Sequence, residues 1–219
     1  VRIEDACASG GVALRQAVLG IASGQYDVVL VGGLEKMTDL SAAEVTNALA
    51  SAADVLFKIP AGFTFPGFYA SMATAYLNKY QADPAALLKV GIKNHENGAL
   101  NEKAQFGQTI PQVMAGKQAK AAQKGLPVPE WADEMAFMQD PKSNPMIAWP
   151  LRLFDCSPVS DGAAALLLVS EDVVDKFTDE PIWVIGTGQA SDGALPERES
   201  LTNVPSAVHA AEQAYAMAG

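Results

Sequence analysis

A layered α/β fold is predicted by three stretches of this 219-residue sequence. A helix-like segment rich in small residues runs from Ala8 to Ser23. A β-branched run, Asp27-Val-Val-Leu-Val31, follows after a short turn. A second apolar run, Gly162-Ala-Ala-Ala-Leu-Leu-Leu-Val169, comes much later in the chain. Helix, short turn and unbroken apolar strand are the pattern of a sheet buried between covering layers.

Composition agrees with a folded domain. Hydrophobic residues make up 49%, charged residues 18%, and mean hydropathy is +0.10. That is enough apolar material for a core, and it excludes a disordered chain, a coiled coil and a collagen-like repeat. The formal charge of −10, with no basic cluster, argues against a nucleic-acid partner. No apolar run has the length of a membrane span, so no membrane partner is expected. Cys7 and Cys156 are too far apart in sequence to suggest a disulfide framework and fit a reducing, cytoplasmic setting. No metal site is expected.

The elements follow in order. Val1 to Ala6 reads as a short strand. The helix over Ala8–Ser23 carries Val12, Leu14, Val18, Leu19 and Ile21, with Gly24 suited to end it. The strand at 27–31 is closed by Gly32-Gly33 and reads as buried on both faces. Leu40 to Pro150 holds nine of the thirteen prolines and reads as an insertion into the α/β body. Helices are expected within it at Tyr69–Tyr80, Pro84–Asn97 and Pro111–Gly125. Asp83 is placed to cap the second of these, with Pro84 in its first turn. The body resumes at Leu151 with the buried run at 162–169, another buried strand at Pro181–Gly186 and a helix over Val204–Ala218. The start at Val1 and the end at Gly219, both within structured sequence, suggest a piece of a longer chain.

Cys7 is the most informative residue. It lies between a strand-like segment and a helix, in Ala6-Cys7-Ala8-Ser9-Gly10-Gly11. A thiol at a helix N-terminus meets the positive end of the peptide dipoles, which favours thiolate. Backbone N–H groups there can hold an oxyanion. Position alone leaves two readings open, a nucleophile and a buried structural cysteine.

Four motifs, in order along nearly the whole chain, resemble those of the thiolases. They are Asp5-Ala-Cys-Ala-Ser-Gly-Gly11, Val31-Gly-Gly-Leu-Glu-Lys-Met-Thr38, Lys93-Asn-His-Glu-Asn97 with Asn101-Glu-Lys-Ala-Gln-Phe106, and Pro150-Leu-Arg-Leu-Phe-Asp-Cys-Ser-Pro-Val-Ser-Asp-Gly-Ala-Ala-Ala165. The third and fourth are similar to the archaeal and sterol-carrier-protein branch of acetyl-CoA acetyltransferases. The second and third favour thiolase over related condensing enzymes such as ketoacyl or hydroxymethylglutaryl-CoA synthases.

The resemblance implies a thiolase-like layered α/β fold: an N-terminal half-domain over 1–40 and 151–175, a loop insertion over 41–150, and the start of a C-terminal half-domain over 180–219. It implies acetyl-CoA or acyl-CoA as substrate, with no separate cofactor, and a homo-oligomer, dimer or tetramer, supplying acetoacetyl-CoA for isoprenoid synthesis. Cys7 becomes the acyl-carrying nucleophile. Ser157, Phe68, Tyr69 and Met72 become candidates for substrate binding. His95 is either a tunnel-lining or a structural histidine. Gly32 and Gly33 are expected to allow close backbone packing near the nucleophile, with Glu35 and Met37 in the same structural motif. Cys156 reads as a structural thiol and His209 as a surface residue. Lys117, Lys120 and Lys124 either hold CoA phosphates or form a solvated helix face. The family's Gly-His-Pro and Cys-x-Gly motifs, which carry its base and its second thiol, do not occur in this sequence. The isolated chain is therefore expected to lack condensation turnover; a non-catalytic CoA-thioester-binding or scaffold subunit is the alternative.

Overall fold

The computed structural model describes residues 1–53, 56, 59–193 and 197–219. Two compact units are present, Val1–Ser41 with Ser160–Gly219, and Ala42–Val159.

In the first unit, Val1–Asp5 is irregular rather than a strand, and Ala6–Ala8 forms one 3-10 turn. Glu4 and Asp5 engage their polar groups with this turn instead of with a sheet. Helix α1 (Ser9–Ala22) follows, and Gly24 takes the positive φ of 71° expected of the residue that turns the chain out of it. Strand β1 (Val28–Glu35) runs straight through Gly32-Gly33, which do not close it. It pairs antiparallel with β4 (Gly162–Val169), from Val28 opposite Val169 to Glu35 opposite Gly162. Both glycines are paired positions in that eight-pair ladder, opposite Ala165 and Ala164, so their weak strand preference is overridden.

Neither strand is buried on both faces. Val29 and Val31 are half-buried, and α1 packs against β1. Leu30 and Leu34, which point the other way, are 71% and 82% exposed. Leu167, directly across from Leu30, is exposed as well. The described residues supply a covering layer on one face of this two-stranded sheet, while the apolar sequence is suited to two.

The segment expected as a third buried strand, Pro181–Gly186, has no ladder partner among the described residues, and Ile182 is 97% exposed. The chain beyond it packs instead on helix α7 (Pro205–Ala218). A Cβ on Gly186 would run into the Ala214 carbonyl oxygen, and one on Gly188 into that of Ala210. The Gln189 N–H donates to Gln213 Oε1 at 3.1 Å along the same contact. Gly188→Ala is therefore expected to push α7 away at a cost of about 1–3 kcal/mol. Faster amide exchange confined to 205–218 would report it; unchanged exchange there would contradict it.

The second unit is mainly helical: α2 (Ala42–Ala50), α3 (Phe65–Tyr80), α4 (Ala85–Gly98), α5 (Ile110–Gln123) and α6 (Glu134–Gln139), with a short hairpin of β2 (Met146–Ala148) and β3 (Leu151–Arg152). Helix α3 begins four residues ahead of the expected Tyr69, because Pro66 occupies the first turn, where no N–H is needed. Asp83 Oδ1 accepts the Ala85 N–H at 2.9 Å, as its capping role requires. Thr109 and Gln112 form a reciprocal capping box on α5. Asp133 caps α6 through the Ala136 N–H at 2.7 Å.

Leu88, Ile110, Phe137 and Met138 form the core, with Ile92, Val113, Met114, Trp131, Met135 and Phe154 packed around it. Fully buried Asn144 ties the core to the hairpin. Its Nδ2 donates to the Met138 carbonyl at 2.9 Å, and its Oδ1 accepts the Phe154 N–H at 2.9 Å.

Candidate active site

Cys7 is exposed in the 3-10 turn that leads into α1. The turn is held from below. The Ser9 hydroxyl accepts the Asp5 N–H at 2.8 Å and donates to the Ala6 carbonyl at 2.8 Å. Glu4 Oε1 accepts the Ala6 N–H at 3.2 Å. Between these bonds Ala6 adopts φ = 45°, a left-handed conformation uncommon for a residue with a Cβ. Such conformations persist where the surroundings over-determine them, often at functional sites. A Cβ on Gly10 or Gly11, in the first turn of α1, would meet nothing within 4 Å.

A Cβ on Gly32 or Gly33 meets nothing within 4 Å, so close packing does not require them. Glu35 is exposed, with Oε1 accepting the N–H of Lys36 at 3.2 Å. The Met37 N–H donates to Asp161 Oδ1 at 2.8 Å.

Asp161 is the residue that motif reading missed. Besides Met37 it accepts the Thr38 N–H at 3.0 Å, the Thr38 hydroxyl at 2.6 Å and the Lys36 ammonium at 2.8 Å. Lys36 foremost, then Thr38, holds the Asp161 carboxyl well below the usual carboxylate range. The same bond, with a second to Asp39, raises Lys36. A depressed carboxylate stabilises above its unfolded value near 4 and loses that contribution only as pH falls through the folded one. The contact therefore persists through neutral and mildly acid pH. One signal for it was available: the only charged residue next to the apolar 162–169 run is Asp161, directly before Gly162.

In the second unit, Phe68 is buried, with its ring 5.5 Å from Phe63 and 6.2 Å from Phe65. Tyr69 is exposed and stacks on Phe65 at 6.5 Å, and Met72 is half-buried. A cleft of about 610 Å³ lies along another face of α3, between Phe63, Gly67, Ser71, Thr74, Asn78 and Trp149. Ser157 is exposed. His95 is buried, its ring 5.8 Å from that of Phe106 and 5.3 Å from that of Phe154. Its Nδ1 lies 2.9 Å from the Gln108 carbonyl oxygen and donates to it. Lys117 is occupied inside the unit, donating to the Ser143 carbonyl at 3.2 Å over the Phe137 ring. His209 is exposed, as expected.

Cys156 is half-buried and donates to the Arg152 carbonyl at 3.5 Å. Burial, then the neighbouring Asp155, pushes its thiol up. Near neutral pH iodoacetamide is expected to label Cys7 well ahead of Cys156, read from the two tryptic peptides; equal rates would contradict the contrast in environment. Among the described residues no cluster of three or more His, Cys, Asp or Glu side chains is arranged to hold a metal ion. No helix among them is long and apolar enough to cross a membrane.

The thiolase N-terminal domain family matches residues 1–172. The chain belongs to the thiolase family. Acetyl-CoA acetyltransferases of Methanothermobacter thermautotrophicus and Methanocaldococcus jannaschii are 39% and 42% identical to it, over 99% of this chain and 50% and 49% of their own. Human sterol carrier protein 2 is 26% identical over 81% of this chain and 29% of its own. Among solved structures, a chain of an Ltp2–ChsH2(DUF35) aldolase superposes with a TM-score of 0.64 at 23% identity, over 96% of this chain and 50% of that one. This likeness shows a thiolase-like α/β fold. The chain thus spans about half the length of the archaeal relatives that it matches. Cys7, the Lys36–Thr38 turn and Asp161 all fall within the matched segment.

Proposed function

We propose that this thiolase chain carries the acyl-accepting half of an acetyl-CoA acetyltransferase, with Cys7 as nucleophile. The observation that carries the reading is an exposed thiol in a braced turn at the head of α1, within the family-matched segment. The Cys7 thiolate attacks the thioester carbonyl of acetyl-CoA. A new carbon–sulfur bond forms, the bond to CoA breaks, and CoA thiolate leaves to take up a proton. One thioester replaces another of similar energy, so the step is reversible.

In the complete reaction a second acetyl-CoA loses a methyl proton, and its enolate attacks the acetyl group on Cys7. Acetoacetyl-CoA forms and the thiolate returns. That step needs a base and a second acid–base thiol. The sequence offers neither a Gly-His-Pro nor a Cys-x-Gly motif for them, so the chain alone is expected to stop at the acetyl thioester. The reading includes coenzyme A thioester as substrate without a further cofactor, a homo-oligomer, a cytoplasmic setting that suits two free thiols, and a product feeding isoprenoid synthesis.

Acetyl-CoA mixed with the chain tests this. A single burst of CoA, close to one per chain, followed by no acetoacetyl-CoA, is expected. Sustained acetoacetyl-CoA synthesis would overturn the missing-base account. Acetyl-CoA binding with no CoA release, equal in the unaltered chain and in Cys7→Ser, would instead favour a scaffold subunit.

A further inference from the structure

The four contacts at Asp161 have no part yet in the chemistry, although they join segments more than 120 residues apart. Two successive N–H groups, Met37 and Thr38, point at one carboxylate, as in the backbone nests that bind anions. Thr38 Oγ1 and Lys36 Nζ complete the ring, and Lys36 also reaches Asp39 at 2.9 Å. Hydrogen bonds to an ionised acceptor are the strong class, and here they fix a turn rather than a regular element.

The place of that turn follows from topology within the first unit. Helix α1 leads away from Cys7 for about 21 Å at 1.5 Å per residue. Strand β1 returns along it for about 26 Å at 3.3 Å per residue. The two pack together. The turn at 36–38 therefore lies at the end of the unit where Cys7 opens α1. Because β4 is antiparallel to β1, with Gly162 opposite Glu35, Asp161 lies at that end too.

We infer that Asp161 is a positioning residue for the acyl-CoA reaction at Cys7, holding the Lys36–Thr38 turn as a fixed wall at the Cys7 end of the sheet. The inference rests on Cys7 being the acyl acceptor. It also separates two properties of that thiol. Reaction with a small alkylating reagent needs only the thiol and its helix end. Reaction with acetyl-CoA also needs the surrounding wall to seat a large substrate, and small misplacements of such walls are costly.

Asp161→Asn tests the inference. Asparagine retains one carbonyl acceptor for the N–H groups but loses the charge that holds Lys36. Acetylation of Cys7 by acetyl-CoA is expected to slow about tenfold, while its alkylation by iodoacetamide stays within about twofold of the rate in the unaltered chain at each pH from about 6 to 9. Lys36→Met leaves the turn's N–H and hydroxyl contacts to Asp161 in place and is expected to give a smaller loss of the same kind. If Asp161→Asn fails to fold, Thr38→Val, which deletes the 2.6 Å hydroxyl bond, takes its place with the same expectation. Acetylation unchanged in the variants, or both reactions slowed equally, would overturn the inference and leave the role of Cys7 standing. No acetylation of Cys7 in the unaltered chain would overturn both.

Discussion

Cys7→Ser is expected to lower CoA release from acetyl-CoA by about a thousandfold or more, the scale seen when a covalent nucleophile is removed. The serine hydroxyl occupies the same braced turn, but at neutral pH it is almost wholly protonated and far less nucleophilic than a thiolate. The turn itself should survive, because its bonds run between Glu4, Asp5, Ala6 and Ser9 and none uses the thiol. The fold signal of the variant should therefore match that of the unaltered chain. Cys156 does not stand in for the lost group: it is half-buried, and burial and Asp155 both disfavour its thiolate. Iodoacetamide counts one reactive thiol fewer in the variant. CoA release that persisted at more than a tenth of its original rate would place the acyl group elsewhere.

Phe137→Ala is expected to cost about 3–5 kcal/mol. The Phe137 side chain is fully buried. Its ring meets Trp131 edge-on at 5.0 Å and Phe154 at 5.7 Å, and the Lys117 ammonium lies 5.4 Å from its centre. Truncation removes all three contacts at once, beside Met138 and Phe154, whose backbone groups Asn144 holds in place. Domains have only about 5–15 kcal/mol in hand, so the second unit should lose much of its stability. A lower denaturant midpoint in the helical circular dichroism signal, which the second unit dominates, checks this. A midpoint shift worth less than about 1 kcal/mol would show that the core relaxes around the gap.

How far the sequence could be read depended on whether a signal was local. The helices over 9–22, 85–98, 110–123 and 205–218 were legible from periodicity and caps, since Asp83 and the prolines near the helix starts act within a turn. The early start of α3 was hidden by Phe-Pro-Gly, which looks like a loop until proline is placed in the first turn. Apolar runs at 28–35 and 162–169 announced strands correctly but not their surroundings, because hydrophobicity records what an element is suited to and not what covers it. Gly32-Gly33 looked like an ending and proved to be mid-strand, since ladder bonds outweigh residue preference. Cys7 stood out from its place between segment and helix, which by itself left a nucleophile and a structural cysteine both open. The brace beneath it, Ser9 bonded to Asp5 and Ala6, is local but depends on the left-handed Ala6, which no motif announces. Asp161 was the least legible, because its meaning depends on a turn more than 120 residues earlier in the chain.

One measurement tests the central claim most directly. The chain is mixed with acetyl-CoA, quenched in acid, digested and mapped by mass spectrometry. The account predicts one acetyl group per chain, on the peptide that contains Cys7, lost on treatment with neutral hydroxylamine as a thioester is. An acetyl group on the Cys156 peptide or on a lysine, or a Cys7 peptide that stays unmodified while CoA is released, would contradict it.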